Sequence, residues 1–580
     1  MLPLSTTGQA ALNHLTSTLD PAAGRSDTVF RKGRLFGPGI RLSCSVESCI
    51  VGASLFFTLF VNQRFWHAWA AGADWSRAAS WLPTLAVAVL LTAVHCLILG
   101  LVLGRRSAKS LLAALFVITA LALHYMNRYT VFFDAGMVRN ILHTDFNEAS
   151  ELLSAGMLVD VLVYGFLPAL ILSRVDLQRS TLRRALTVRA VFMLAALLAA
   201  GGSLLIAFQD LSALMRNQKE VRYLITPANF IVSSIRVATA ETGEISLPRV
   251  PVGADAVQAA GAHKGKPRLL VLVVGETARA ANWGLSGYGR QTTPELAASE
   301  VVNFPKVTSC GTNTEVSVPC MFSPYGRKSY DEKQIRRHES VLHVLEHAGV
   351  KTVWRDNQSG CKGVCDGLEV QRPEAQRDER LCKNKHCLDE ILLAGLESEL
   401  QKNPRDLVIV LHQLGNHGPA YSHRYPDAYR RFLPTCDDPD LRKCTREQIV
   451  NSYDNALLYT DHFLASTIER LQGQQTHDAA FIYLSDHGES LGEKGVYLHG
   501  LPYAIAPREQ TEVPMLMWLS AGFSAASAID GACLRARAAQ PASHDNLFHT
   551  MLGLMQVRTS VYDAASDLLA GCRSVPPAGA

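Results

Sequence analysis

What this sequence has least of is charge of one sign. Its 580 residues carry 56 Lys and Arg against 52 Asp and Glu, a net +4. That surplus is too small to hold a polyanion, which argues against a nucleic-acid partner. Charged residues make up only 19% of the chain, against 48% hydrophobic. A water-soluble enzyme of this length is more polar, so part of the chain is expected in a membrane. The first 40 residues also lack an apolar core. They read as a polar tail over 1–42, not as a cleavable signal peptide.

Hydrophobic runs are present at 46–63, 80–104, 108–126, 155–173 and 187–208. Each is long enough, or nearly so, to cross a bilayer core of about 30 Å. The first is the weakest, with Glu47 near its start. Any one run could be a buried helix of a soluble protein; five in succession predict a transmembrane domain of five helices over 43–208. Basic residues cluster in the tail (Arg25, Arg31, Lys32, Arg34, Arg41), in the turn with Arg105, Arg106 and Lys109, and in the link with Arg174, Arg179, Arg183 and Arg184. The alternate loops are poorer in them, and the longer carries Asp134, Asp145, Glu148 and Glu151. By the positive-inside rule the N-terminus is expected in the cytoplasm, and five crossings put everything after residue 208 outside.

The cysteines support that placement independently. Eight of the 13 fall in close pairs: Cys310 with Cys320, Cys361 with Cys365, Cys382 with Cys387, and Cys436 with Cys444. Such pairs in a polar, loop-rich stretch suggest disulfides and an oxidising compartment. The rival is zinc-binding thiolates, for which the spacing of Cys361 and Cys365 is tolerable and that of Cys310 and Cys320 is not. Spacing leaves the connectivity open, and leaves Cys533 and Cys572 as candidates for a fifth bridge. Cys44, Cys49 and Cys96 lie in or beside membrane segments and are expected to be free.

Residues 209–265 are mixed and amphipathic, either a bridge lying along the membrane or an ordinary linker. Small polar residues at 259–266 mark a boundary. Beyond it, over 266–580, apolar runs of strand length at 269–276, 406–413, 479–488 and 513–518, with a weaker one at 351–357, alternate with helical patterns such as 338–348 and 449–471. This predicts an α/β domain with a mainly parallel sheet.

In such sheets the active site lies beyond the carboxyl ends of the strands. The first run ends in Glu276, the run at 406–413 leads to His417, and the run at 479–485 ends in Asp486 and His487, with His499 soon after. Carboxylates and imidazoles on one sheet edge outline a metal site suited to zinc or manganese. Taken singly, a strand-terminal Glu is more often a cap or solvated, and a lone His more often a core residue; the joint pattern is what carries weight. The segment TSCGTNTEVSVPC (308–320) offers Thr308, Ser309, Thr312, Thr314 and Ser317 as nucleophiles at a helix start. A hydroxyl there gains from free N–H groups and a metal. Residue chemistry alone does not choose among them, and a capping role is the bland alternative.

The stretches VVGETARAANWGLSGYGRQTTPEL (273–296), TSCGTNTEVSVPCMFS (308–323), DNQSGCKGVCDG (356–367), LHQLGNHGPAYSHRYP (411–426), NSYDNALLYTD (451–461) and SDHGESLGEKGVYLHGLPYAIAPREQTEVP (485–514) resemble the alkaline phosphatase/sulfatase superfamily. With RNQKEVRYLITPANFIVSS (216–234), they more closely resemble its membrane-bound phosphoethanolamine transferases that modify lipid A, including polymyxin-resistance transferases. The resemblance covers nearly the whole chain after the first 40 residues. It implies metal ligands at Glu276, Thr314, Asp486 and His487, with Thr314 the nucleophile. His417 and His499 match histidines that bind a second metal or the substrate phosphate. Some relatives place a substrate-contacting lysine near 333–339, where this chain has Arg336 and Arg337; Arg336 is the better match, with a planar fork in place of a point charge.

The resemblance further implies one tightly bound Zn2+, with a second as an alternative. It implies a monomer in the inner membrane with a periplasmic catalytic domain. Phosphatidylethanolamine would be the donor, and a lipid A phosphate the acceptor of phosphoethanolamine carried on Thr314. Rival readings are transfer to a lipopolysaccharide core sugar, phosphoglycerol transfer to a glycan, and a catalytically dead sensor. The intact set of ligand residues argues against the last.

Overall fold

A computed structural model describes residues 42–573 apart from 72–74, 77–79, 145–148, 151, 245–248, 260–264, 374–377 and 384–385. The expected tail with its five basic residues, the acids Asp145, Glu148 and Glu151, and most of the boundary at 259–266 lie outside the described residues.

The apolar runs fold as helices. A bent pair, α1 (Val46–Val61) and α2 (Gln63–Ala71), turns by 58° at Asn62. Then come α3 (Trp81–Val102), α4 (Ala108–Tyr129), the short α5 (Ala135–His143), α6 (Ala155–Ser173) and α7 (Leu182–Asn217). Among the described residues four helices are long and apolar enough to cross a membrane, or five with the bent pair as one span. At 1.5 Å per residue the 36 residues of α7 reach about 54 Å, well beyond an apolar core of about 30 Å. The helix therefore runs on past residue 208 into the expected bridge. A 3₁₀ turn at Lys219–Leu224 and α8 (Ala228–Glu244) follow, and α8 packs against α5.

Two polar residues in this region have local explanations. The Glu47 carboxylate, which weakened the first run, pairs with Arg189 Nε of α7 at 3.0 Å. At the break after α1, the Asn62 amide donates to Phe57 O (3.0 Å) and Thr226 O (2.9 Å) and accepts from Thr226 N (2.6 Å). A broken span must satisfy its backbone internally, and one asparagine does so against the 218–227 segment.

The remainder is an α/β domain around an eight-stranded sheet. Its strands are β1 (Arg268–Gly275), β2 (Val302–Thr308), β3 (Lys351–Asp356), β4 (Glu369–Gln371), β5 (Leu407–His412), β6 (Asp478–Ser485), β7 (Glu512–Leu519) and β8 (Ala542–Ser543). Across the sheet the order is β8-β2-β7-β6-β1-β5-β3-β4. From β6 to β4 every pairing is parallel, and β1 and β5 are buried along their whole length, as a sheet covered on both faces requires.

The VPMLMW run departs from that pattern. As β7 it lies antiparallel to both β6 and β2. The chain from β6 to β7 passes over the strand ends without a long crossover helix, so it returns in the opposite direction. Strand β2 escaped the sequence reading because VNFPKVT has no apolar run. Its Pro305 sits where the pairing with β7 slips between Val513 and Met515, the place a residue without an N–H can occupy.

The paired cysteines all lie in this domain, and all are disulfides. The bridges are Cys310–Cys320, Cys361–Cys365, Cys382–Cys387 and Cys436–Cys444, and Cys533–Cys572 is a fifth. With Cys361 and Cys365 bonded to each other, neither offers a thiolate, and the zinc-thiolate rival falls. Cys382 and Cys387 face each other across a short antiparallel ladder, which brings their Cα atoms to 4.0 Å. Cys44, Cys49 and Cys96 are free.

Candidate active site

Adjacent parallel strands bring their carboxyl ends together. Glu276 follows β1, Asp486 and His487 follow its neighbour β6, and the loop bearing His417 follows β5 on the other side. The β5 loop is held by buried Asp389, which accepts from Leu414 N (2.8 Å) and Gly415 N (2.9 Å). Gly415 is required: its φ is +54°, and a Cβ there would stand 2.7 Å from Glu276 O.

The segment that offers the candidate nucleophiles arrives as α9 (Thr314–Met321), with Asn313 capping Val316 N and the Cys310–Cys320 disulfide bracketing Thr314. His544 ties the segment to β6, accepting from Cys310 N (3.1 Å) while its other ring nitrogen meets Ser485 O (2.9 Å). The hydroxyls of the segment then sort themselves. Ser309, Thr312 and Ser317 each bond a backbone carbonyl, of Gly311, Leu501 and Asp486. Thr314 instead donates to Glu276 Oε2 at 3.0 Å.

His487 Nε2 is the hub. It lies 3.4 Å from Glu276 Oε1, 3.4 Å from Asp486 Oδ2 and 3.4 Å from Thr314 Oγ1. Two ligands about 2.1 Å from one tetrahedral ion stand about 3.4 Å apart, so these separations fit the edges of such a site. His487 Nδ1 faces Gly488 O at 3.0 Å, so it carries the proton and leaves Nε2 a lone pair. Burial pushes the imidazole down to about 4, which keeps it neutral. Asp486 Oδ2 is buried with no hydrogen-bond partner among the described residues. A set of buried acceptors with so few donors is costly unless a cation joins it, and it fits a divalent metal.

His499 belongs to the same centre. One ligand atom each from Glu276, His487 and His499 lie within 4.8 Å of one another. The His499 and His487 rings are 4.4 Å apart, and His417 stands 5.6 Å from His499. Buried Glu489 takes His499 Nδ1 at 2.7 Å and is itself held by the Tyr421 hydroxyl at 2.6 Å. This carboxylate–imidazole support leaves Nε2 of His499 as the ring nitrogen available to a ligand.

Arg336 is not part of that cluster. It lies on α10 (Glu332–Arg337) and binds Glu315, the residue after Thr314, at 3.2 Å, lining a cavity of about 450 Å³. Glu315 also takes Lys362 (3.4 Å) and His143 (3.0 Å). Burial opposes its charge, but Lys362, Arg336 and His143 outweigh it and hold the carboxyl below its ordinary value. Sequence reading passed over Lys362 and Gln358, whose amide donates to Glu276 Oε2 at 3.0 Å. Both lie in the DNQSGCKGVCDG stretch, directly after β3, and a strand-end rule applied to that weaker strand would have reached them. The Cys361–Cys365 bridge closes the turn that carries Lys362.

Comparison with known proteins gives this arrangement a family. Residues 268–557 match the sulfatase family model, and residues 91–242 match the model for phosphoethanolamine transferase EptA/EptB. The chain is 42% identical over 469 residues to phosphoethanolamine transferase EptA of Escherichia coli (strain K12), covering 80% of this chain and 86% of that one. Phosphatidylethanolamine transferase Mcr-1 of Escherichia coli is 39% identical over 451 residues, covering 75% and 82%. The integral membrane protein lipooligosaccharide phosphoethanolamine transferase A of Neisseria meningitidis superposes with a TM-score of 0.87 at 37% identity, over 92% of this chain and 99% of that one. A helical bundle with apolar spans, a sulfatase-type α/β domain and relatives of this similarity over most of their length lead to one statement: the chain belongs to the membrane-bound phosphoethanolamine transferase family of enzymes.

Proposed function

We propose that this enzyme moves phosphoethanolamine from phosphatidylethanolamine to a lipid A phosphate through an adduct on Thr314. The observation that carries the reading is the Thr314 hydroxyl at the first residue of α9, 3.0 Å from Glu276 Oε2 and 3.4 Å from His487 Nε2. The names of the relatives supply the transferred group, and one at 27% identity is a Kdo(2)-lipid A phosphoethanolamine 7''-transferase of Salmonella typhimurium.

Glu276, Asp486, His487 and Thr314 would hold one zinc ion, with His499 and His417 toward a second ion or the substrate phosphate. Bound there, zinc supplies a Lewis acid that lowers the pKa of the hydroxyl and offsets phosphoryl charge. Glu276 Oε2 holds the Thr314 proton, and the free N–H groups opening α9 favour an anionic phosphoryl group over it. Thr314 Oγ1 attacks phosphorus, the bond to the glycerol oxygen breaks, and His499 or His417 gives that oxygen its proton. Diacylglycerol leaves. An oxygen of the lipid A phosphate then attacks the same phosphorus and passes its proton to that histidine, the bond to Thr314 breaks, and Thr314 takes back the proton held by Glu276. The product carries an added ammonium, which lowers the negative charge of the outer surface and its attraction for cationic peptides such as polymyxin.

The same reading puts the chain in the inner membrane with the α/β domain in the periplasm. It is supported by two basic segments that meet, with Arg105 Nε on Leu177 O and Lys109 Nζ on Ser173 O, and by the disulfides of the α/β domain, which favour an oxidising compartment. Mass spectrometry of lipid A from cells with and without the chain tests the proposal. One added phosphoethanolamine on lipid A is expected; the same mass on the core sugar, or a phosphoglycerol mass, would replace it with a rival acceptor or donor.

A further inference from the structure

Helix α5 lies between two membrane spans, yet two of its residues reach into the wall of the catalytic domain. Arg139 and His143 are four positions apart, so they share one face of the helix. Arg139 pairs with Glu332 on α10, and His143 Nδ1 lies 3.0 Å from Glu315 Oε1 on α9. Arg336 bridges the two grips, with Nε 3.3 Å from Glu332 and Nη2 3.2 Å from the Glu315 carboxylate and 3.0 Å from its carbonyl. The Glu315 side chain is 1% exposed, whereas that of His143 is 45% exposed. Glu315 is thus a buried anion in the first turn of α9, next to Thr314, and one of its partners belongs to the membrane half. A displaced carboxylate here cannot simply turn to water, so the helix turn carrying it is fixed by where its hydrogen-bonding partners stand.

We propose that His143 is a positioning residue: through Glu315 it sets the first turn of α9 and hence the place of Thr314. The membrane half is then part of the catalytic apparatus as well as its anchor. The inference rests on the reading of Thr314 as the group carrier. In-line attack tolerates little misplacement, and a shift of about 1 Å can cost on the order of a hundredfold in rate.

The test uses the full chain in vesicles containing phosphatidylethanolamine and compares wild type with His143→Ala, His143→Gln and His338→Ala. Three quantities are read: kcat against KM for the donor lipid, the adduct on Thr314 by mass spectrometry, and hydrogen exchange of the 314–318 amides. His143→Ala should lose roughly tenfold in kcat, with KM little changed and exchange faster in that turn. His143→Gln keeps an N–H donor for Glu315 and should recover most of both. His338 lines the same cavity but bonds Gln334 O of its own helix at 2.7 Å, so His338→Ala should match wild type. Wild-type turnover and exchange in His143→Ala, equal loss in His143→Gln, or equal loss in His338→Ala would each overturn the proposal. If wild type forms no adduct on Thr314, the proposed function fails instead, and the exchange data still decide whether His143 acts on α9.

Discussion

Thr314 stands apart from its neighbours by its partner. Ser309, Thr312 and Ser317 spend their protons on backbone carbonyls, while Thr314 gives its own to a carboxylate beside a neutral imidazole. Thr314→Ala should therefore leave folding intact and abolish both transfer and the covalent adduct, read by intact-protein mass spectrometry after mixing with donor lipid. An adduct that persists in the variant would move the nucleophile elsewhere. The buried acceptors Glu276, Asp486 and His487 lead to a second expectation. A chelator should stop turnover and added zinc restore it, with bound zinc counted by elemental analysis before and after. Full turnover in metal-free protein would remove the metal from the reading.

Among the elements, the long helix Arg446–Gly473, here α11, carries a titratable cluster away from the site. His462 lies 3.0 Å from Glu295 and 3.5 Å from Glu390. The bond to Glu390, opposed by burial and joined by Glu295, raises the imidazole from 6.5 to about 9. A folded pKa above the unfolded one means stability that is fully present below pH 6.5 and lost as pH rises through 9. The melting temperature of the wild type should fall over that window, and that of His462→Gln should fall less. Parallel curves would mean that the pair contributes nothing, as is common for half-exposed ion pairs. The strands carry a different lesson. Runs of full burial announced β1, β5 and β6, whereas β2 was invisible because half of it faces outward and a proline interrupts it.

At the scale of the whole molecule, two halves are tied by ion pairs and one of them is stapled. Arg128 at the end of α4 meets Asp440 in the loop closed by Cys436–Cys444, and α5 grips α9 and α10. Four disulfides close loops with separations of 4 to 10 residues, and Cys533–Cys572 closes one of 39. In the chain-entropy model a loop of about 15 residues contributes about 3 kcal/mol, and shorter ones less. Together they are comparable with the whole net stability of a domain, about 5–15 kcal/mol. In cells unable to form periplasmic disulfides the chain should be degraded, and its band on an immunoblot should fade with its activity. A full-strength band without activity would mean that the bridges, Cys310–Cys320 first, serve the site and not the fold.

Much of this was decided locally and could be read without coordinates. Five apolar runs announce the membrane part because a span must be long enough to cross the hydrocarbon, and four of them, or five with the bent pair as one span, fold as helices of that length. Buried strands followed by Glu276 and by Asp486–His487 announce a site because a parallel sheet gathers its carboxyl ends on one edge. Close spacing likewise suggested disulfides among the eight paired cysteines but left their connectivity and the zinc alternative at Cys361 and Cys365 open, and the fold closed Cys361–Cys365 and Cys382–Cys387. Periodicity reports only which face a segment buries, however, and says nothing of what meets it from far along the chain. The hydrogen bond that sets Thr314 apart from its neighbouring hydroxyls is made to Glu276, 38 residues away. The gathering of His143, Arg336 and Lys362 around Glu315 spans up to 172 residues. The reversed direction of β7 follows from the path of its connection. These were settled by tertiary packing alone, because only there do side chains from distant segments compete for the same buried partners.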